Sequence, residues 1–150
     1  MTHKATVGTV SHGTLKTDDL LEAFGWELQQ ISDDAEHLAL AKKARARAHY
    51  FTWNDLPEGE EVEETEADSA LVGDLIDALT ELAPAYCYFG AIEGDGSDFG
   101  FWPDMEAINE LPRIQNVEGE DLPDEDHCYV NDHGNVTVYA ADGAVILEIV

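Results

Sequence analysis

Positive charge is what this sequence has least of: 7 Lys and Arg stand against 33 Asp and Glu in 150 residues, a formal net charge of −26. Attraction to phosphate needs clustered cations, so direct binding to nucleic acid or to an anionic lipid surface is excluded over most of the molecule. Cysteine is scarce too. Cys87 and Cys128 are too few for a disulfide framework and lack metal-type spacing, which predicts two buried, reduced thiols. No run approaches the ~20 apolar residues that span a bilayer. The opening MTHKATVGTV has neither the charged start and apolar stretch nor the cleavage site of a secretory signal. A cytoplasmic protein with no membrane segment is therefore expected.

What is present is a core and a polarised distribution of acids. Hydrophobic residues make up 44% of the chain, enough at this length for one domain spanning 1–150. Residues 1–50 hold 7 acids and 6 bases, net −1, whereas residues 51–150 hold 26 acids and the single base Arg113, net −25. Such repulsion costs stability unless salt, the basic segment or a cationic partner offsets it.

Residues 5–11 are β-branched and read as a short strand. Thr17 then serves as an N-cap before Asp18 and Asp19, and Leu20, Leu21, Phe24, Leu28 and Ile31 recur at helical spacing over 17–31. Gly25 inside that helix costs about 1 kcal/mol relative to Ala, which points to close packing against another backbone. Ser32 opens a second helix reaching Tyr50, with Lys42, Lys43, Arg45 and Arg47 toward its C-terminal end, as the helix dipole favours. The segment 54–68 carries 8 acids in 15 positions with no apolar period and reads as a flexible acidic loop. A third helix follows over 68–83, with Leu71, Leu75, Leu79 and Leu82 on one face and Asp74, Asp77 and Glu81 on the other; Pro84 ends it.

Beyond Pro84 the period becomes two. Residues 85–92 and 97–103 read as a hairpin around Gly94-Asp95-Gly96, and Asp104 caps a short helix over 104–110. An acidic loop at 117–126 precedes three strands separated by Asp132-His133-Gly134 and Ala141-Asp142-Gly143. The predicted fold class is α+β, with N-terminal helices packed on an antiparallel sheet of about five strands.

Motifs for chemistry are few. The loop Glu93 to Asp98, with Asp104 eleven residues after Glu93, has calcium-loop spacing at its ends, but Asp98 stands where the turn requires Gly; an Asp/Gly hairpin is the better reading. His127, Cys128 and His133 could cluster near a closing hairpin, yet no H-x-x-x-H pair exists, so structural or surface histidines are expected. Ser11-His12 lacks the nucleophile elbow of hydrolases, and Cys87 lacks a nucleophile context. The aromatics Tyr86, Tyr88, Phe89, Phe99, Phe101 and Trp102 resemble a base-stacking platform, but no basic groove accompanies them, and core packing is the plainer role. No enzyme activity and no cofactor are expected.

Carboxylates three or four residues apart on a helix lie roughly 5–6 Å apart, comparable with phosphates along a nucleic-acid strand. The candidate partner-binding residues are accordingly Glu63, Glu64, Glu66, Asp74, Asp77 and Glu81, extended by Asp68, together with Glu118, Glu120, Asp121, Asp124, Glu125 and Asp126.

Three segments taken together resemble uncharacterised acidic proteins carried by bacterial plasmids and phages: Gly8-Thr9-Val10-Ser11-His12-Gly13-Thr14 leading into Asp18-Asp19-Leu20; Asp74 to Leu79 through Tyr88-Phe89-Gly90 to Trp102; and Val130 to Thr137. The resemblance implies a mobile-element setting, in which small acidic proteins occupy the DNA-binding surfaces of host defence machinery. It brings no site residues. The expectation is a non-enzymatic acidic binding protein that engages a basic surface, as a nucleic-acid mimic inhibiting a DNA-processing or defence protein. The alternatives are a salt-adapted, highly soluble domain; a small-ligand or metal-binding protein using the 93–98 loop with His127 or His133; and a homodimer in which Lys42 to Arg47 meets the acidic face of another copy.

Overall fold

The apolar periodicities of the sequence resolve, in a computed structural model that describes residues 4–115 and 122–149, into four helices and six strands among the described residues. In chain order these are β1 (Gly8–Ser11), α1 (Thr17–Ile31), α2 (Ala35–Thr52), α3 (Glu66–Glu81), β2 (Cys87–Ile92), β3 (Asp95–Pro103), α4 (Met105–Asn109), β4 (His127–Val130), β5 (Val136–Tyr139) and β6 (Val145–Ile149). The α+β class holds. The single sheet of about five strands does not: there are two three-stranded sheets, ordered β1-β3-β2 and β4-β5-β6. The chain divides into two compact units, one of Met1–Pro84 with Tyr88–Trp102 and one of Ala85–Cys87 with Pro103–Val150.

In the first unit α1 packs against both α2 and α3, and its Leu20, Leu21, Phe24 and Leu28 are buried with Leu71, Leu75, Ala78 and Leu79 of α3. Phe24 meets the sheet edge-on, with ring centroids 5.0 Å from Phe89 and 5.2 Å from Phe99, and Phe89 continues to Phe101 at 5.0 Å. The aromatic run is thus mainly core, as expected; Trp102 ties its indole N–H to the Gly90 carbonyl at 3.0 Å. α2 contributes Ala41, Ala44 and Ala48, small residues that let it lie close to α1. A Cβ on Gly25 would come within 2.9 Å of Arg45 Cγ and 3.2 Å of the Ala41 carbonyl, which is why that helix tolerates a glycine. Gly100 is tighter still, since a Cβ there would run into the Gly8 carbonyl of the paired strand.

Helix starts differ from expectation by a few residues, each for a local hydrogen-bonding reason. Thr17 is the first residue of α1, not its cap; its hydroxyl donates to Glu64 at 2.5 Å, while Thr14 takes the Lys16 N–H and donates to Asp19. Asp34, not Ser32, caps α2, accepting from the backbone of Glu36 and His37. α3 begins at Glu66 because Thr65 and Asp68 form a reciprocal capping box, so the irregular segment stops three residues sooner than the composition indicates.

In the second unit β4, β5 and β6 form an antiparallel meander with His127 opposite Tyr139 and Val138 opposite Leu147. Its core is Ile108, Cys128, Val138 and Leu147. Both expected turns are there, with Gly134 at φ 82° and Gly143 at φ 90°. Residues 112–114 add a short parallel bridge through Arg113 to Cys128. Cys128 is a buried free thiol; Cys87 is half-buried, and burial, helped by the Asp104 charge, pushes its pKa up.

Candidate functional site

Helical geometry decides which carboxylates act together. At about 100° and 1.5 Å per residue, Glu66, Asp74, Asp77 and Glu81 fall within an arc of about 80° and span roughly 22 Å along α3. All four are exposed, and the opposite face carries the buried Leu71, Leu75, Ala78 and Leu79. Asp74 and Asp77 make no hydrogen bond or ion pair among the described residues. Glu81 is partly committed, lying 3.3 Å from His37 Nε2 on α2. Glu63 and Glu64 are exposed just before the helix; Glu64 holds the Thr17 hydroxyl, and the Glu63 carbonyl accepts from Arg47 at 3.2 Å.

Asp68 is not part of this surface. Its carboxylate is buried and takes two guanidinium N–H groups of Arg47, at 2.7 and 2.9 Å, together with the Thr65 N–H and hydroxyl. The Arg47 hydrogen bonds hold Asp68 below the usual aspartate range, and the same pair raises Arg47. The capping residue of α3 is therefore also an ion-pair anchor to α2, a role that an acid within an acid-rich segment does not reveal.

The remaining candidates belong to the second unit. Asp124 and Glu125 are exposed, while Asp126 is half-buried and accepts the Tyr86 hydroxyl at 2.5 Å. That bond, with burial, raises the Tyr86 pKa. Tyr86 has φ 61°, an unfavourable backbone for an aromatic residue, and is held at both ends, since its carbonyl also accepts the Asp104 N–H at 2.7 Å. Glu118, Glu120 and Asp121 lie outside the described residues.

The charge split changes meaning once the chain folds. Residues 51–84 and 88–102 pack in the same unit as the basic helix, so that unit holds 21 acids and 6 bases, net −15, and the other 12 acids and Arg113, net −11. Residues 1–50, near neutral by themselves, are not a separate body. Its arginines are used internally: Arg47 on Asp68, and Arg45 on Gln29 at 2.7 Å and Glu22 at 3.4 Å, stacked over Trp26. Two clefts in this unit are lined by acids, whereas a third is lined by Lys42 and Arg45 with Gln29, Leu38 and Ala46. One of about 280 Å³ is lined by Asp18, Asp19, Glu22, His49 and the exposed Trp53.

The 93–98 loop is a hairpin that turns at Glu93-Gly94, with Asp95 already opening β3. Asp104 is the cap of α4, accepting from the Ala107 N–H at 3.3 Å, as expected. His127 is buried, donates to the Glu125 carbonyl at 2.9 Å and stacks on Tyr139, a structural role. His133 sits in the exposed turn beyond the far end of β4. The histidine that does reach the loop is His12, brought beside Asp95 and Asp98 by pairing of β1 with β3.

No family model matches the chain, and no curated protein or solved structure is significantly similar to it. No helix among the described residues is long and apolar enough to cross a membrane. The functional reading therefore rests on the residues themselves.

Proposed function

We propose that this protein is a non-enzymatic acidic binding protein whose α3 surface engages a basic protein, as a nucleic-acid mimic occupying the cationic surface of a DNA-processing or defence enzyme. The observation that carries the reading is the stripe of Glu66, Asp74, Asp77 and Glu81: exposed, on one side of a helix anchored by its opposite face, and with Asp74 and Asp77 uncommitted. The unit's two arginines are consumed by internal partners, so they do not neutralise this stripe. The two clefts lined by Asp18 favour cationic over anionic groups, which fits a basic partner.

The test is competition. The protein is titrated against complexes of basic DNA-binding enzymes with labelled duplex DNA, across a salt series. The expected result is displacement of DNA from at least one enzyme, weakening steeply with salt as a multi-contact electrostatic interface does. Neutralising Glu66, Asp74 and Asp77 together (E66Q/D74N/D77N) lowers the affinity at least tenfold. Salt-independent binding, or full affinity of the triple variant, overturns the proposal.

A further inference from the structure

Outside the acidic stripe, one group of side chains has different chemistry. His12, just after β1, and Asp95 and Asp98, both on β3, each offer one ligand atom, and these atoms all lie within 4.8 Å of one another. Two segments far apart in sequence are brought together by the β1–β3 register, Thr9 opposite Gly100 and Ser11 opposite Phe99 with an irregularity between them, extended by the Gly13 N–H donating to the Ser97 carbonyl at 3.2 Å.

The carboxylates are already oriented. Asp95 Oδ1 accepts the Ser97 N–H at 3.0 Å and its hydroxyl at 2.9 Å, leaving Oδ2 3.5 Å from His12 Nε2. Asp98 Oδ1 accepts the Thr9 hydroxyl at 2.7 Å. One oxygen of each carboxylate is thus fixed by a neighbouring donor, the arrangement by which outer-shell hydrogen bonds aim ligating carboxylates in metal sites. Donors on a tetrahedral ion with bonds of about 2.1 Å lie about 3.4 Å apart. The His12–Asp95 separation of 3.5 Å already meets that spacing, and a side-chain movement of about 1.4 Å brings even a pair at the 4.8 Å limit to it. His12 is exposed and free to make it.

We propose that His12, Asp95 and Asp98 form a binding site for a first-row divalent transition metal, Zn²⁺ being the best fit, with water completing the coordination. The imidazole selects against Ca²⁺ and Mg²⁺, which take oxygen ligands, and two carboxylates balance the ion's charge. The site is independent of the α3 stripe.

The 150-residue protein, stripped with chelator, is titrated with ZnCl₂ by calorimetry at about 0.3 M NaCl, where diffuse attraction to the −26 chain is screened. The expected result is saturable uptake of one equivalent, with the His12 imidazole resonances shifting in step and Mg²⁺ at equal concentration leaving them unmoved. His12→Ala and Asp98→Asn each weaken uptake at least tenfold, whereas His133→Ala and the E66Q/D74N/D77N variant leave it unchanged. His12 is exposed, so H12A folds normally, and circular dichroism checks this. Absence of one-to-one uptake, or uptake unaltered by both H12A and D98N, overturns the proposal.

Discussion

Replacing Asp68 with Asn tests the view that one acid in this carboxylate-rich chain is structural while its neighbours are not. Four donors converge on the two oxygens of Asp68, two from Arg47 and two from Thr65. Asn keeps the size but supplies one acceptor and an NH₂ group, so donors that now find oxygen would face another donor. Removing one partner of a buried ion pair costs about 3–5 kcal/mol, and a lost N-terminal cap about 1 kcal/mol. The Arg47 side chain is 26% exposed and can turn to water, which reduces the first figure; about 2–4 kcal/mol is the expected loss. Denaturant unfolding measures it, alongside Asp77→Asn, an exposed acid on the same helix whose neutralisation relieves repulsion and costs nothing measurable. The sign with pH is also set. Because Asp68 is held below its ordinary value of 3.8, its contribution is full above that value and is lost as pH falls through the lower folded value. The stability gap between wild type and D68N therefore closes in acid. A D68N variant within 0.5 kcal/mol of wild type at neutral pH, or a gap that widens in acid, refutes the reasoning.

Gly100→Ala drives a methyl into the Gly8 carbonyl of the paired strand and is expected to lose at least about 3 kcal/mol, read by thermal unfolding, with the β1–β3 amides losing hydrogen-exchange protection. Gly25→Ala is milder, because its nearest obstacle is the flexible Arg45 side chain and the helix gains about 1 kcal/mol of propensity; a net change within about 1 kcal/mol either way is expected by the same measurement. Raising NaCl from about 0.05 to 0.5 M raises the melting temperature, since the Debye length contracts several-fold and the net charge of −26 is screened; the E66Q/D74N/D77N variant shows a smaller rise.

Periodicity made much of the fold legible. Leu20, Leu21, Phe24 and Leu28 mark α1, the α3 leucines mark its buried face, and Asp-His-Gly and Ala-Asp-Gly mark the two turns of the C-terminal meander, because these are local signals needing only neighbours within a turn of helix or a hairpin. Gly25 was legible as a contact point for the same reason: a costly residue inside a strong helix needs a packing partner. Strand partnership was not legible. β1 joins β3 rather than extending one continuous sheet, and nothing local in Gly8 to Ser11 encodes that choice.

The number of acids and their uneven distribution along the chain are legible in the sequence, but the role of Asp68 is not. Composition by itself determined that this chain carries a formal charge of −26, because formal charge is a sum over residues that folding does not alter. Whether a given carboxylate faces water, caps a helix, holds an arginine or stands beside a histidine depends on partners 21 residues away for Asp68 and 89 for Asp98. The tertiary structure decided those roles, because hydrogen-bond geometry and burial act between neighbours in space, while sequence patterns report only neighbours along the chain.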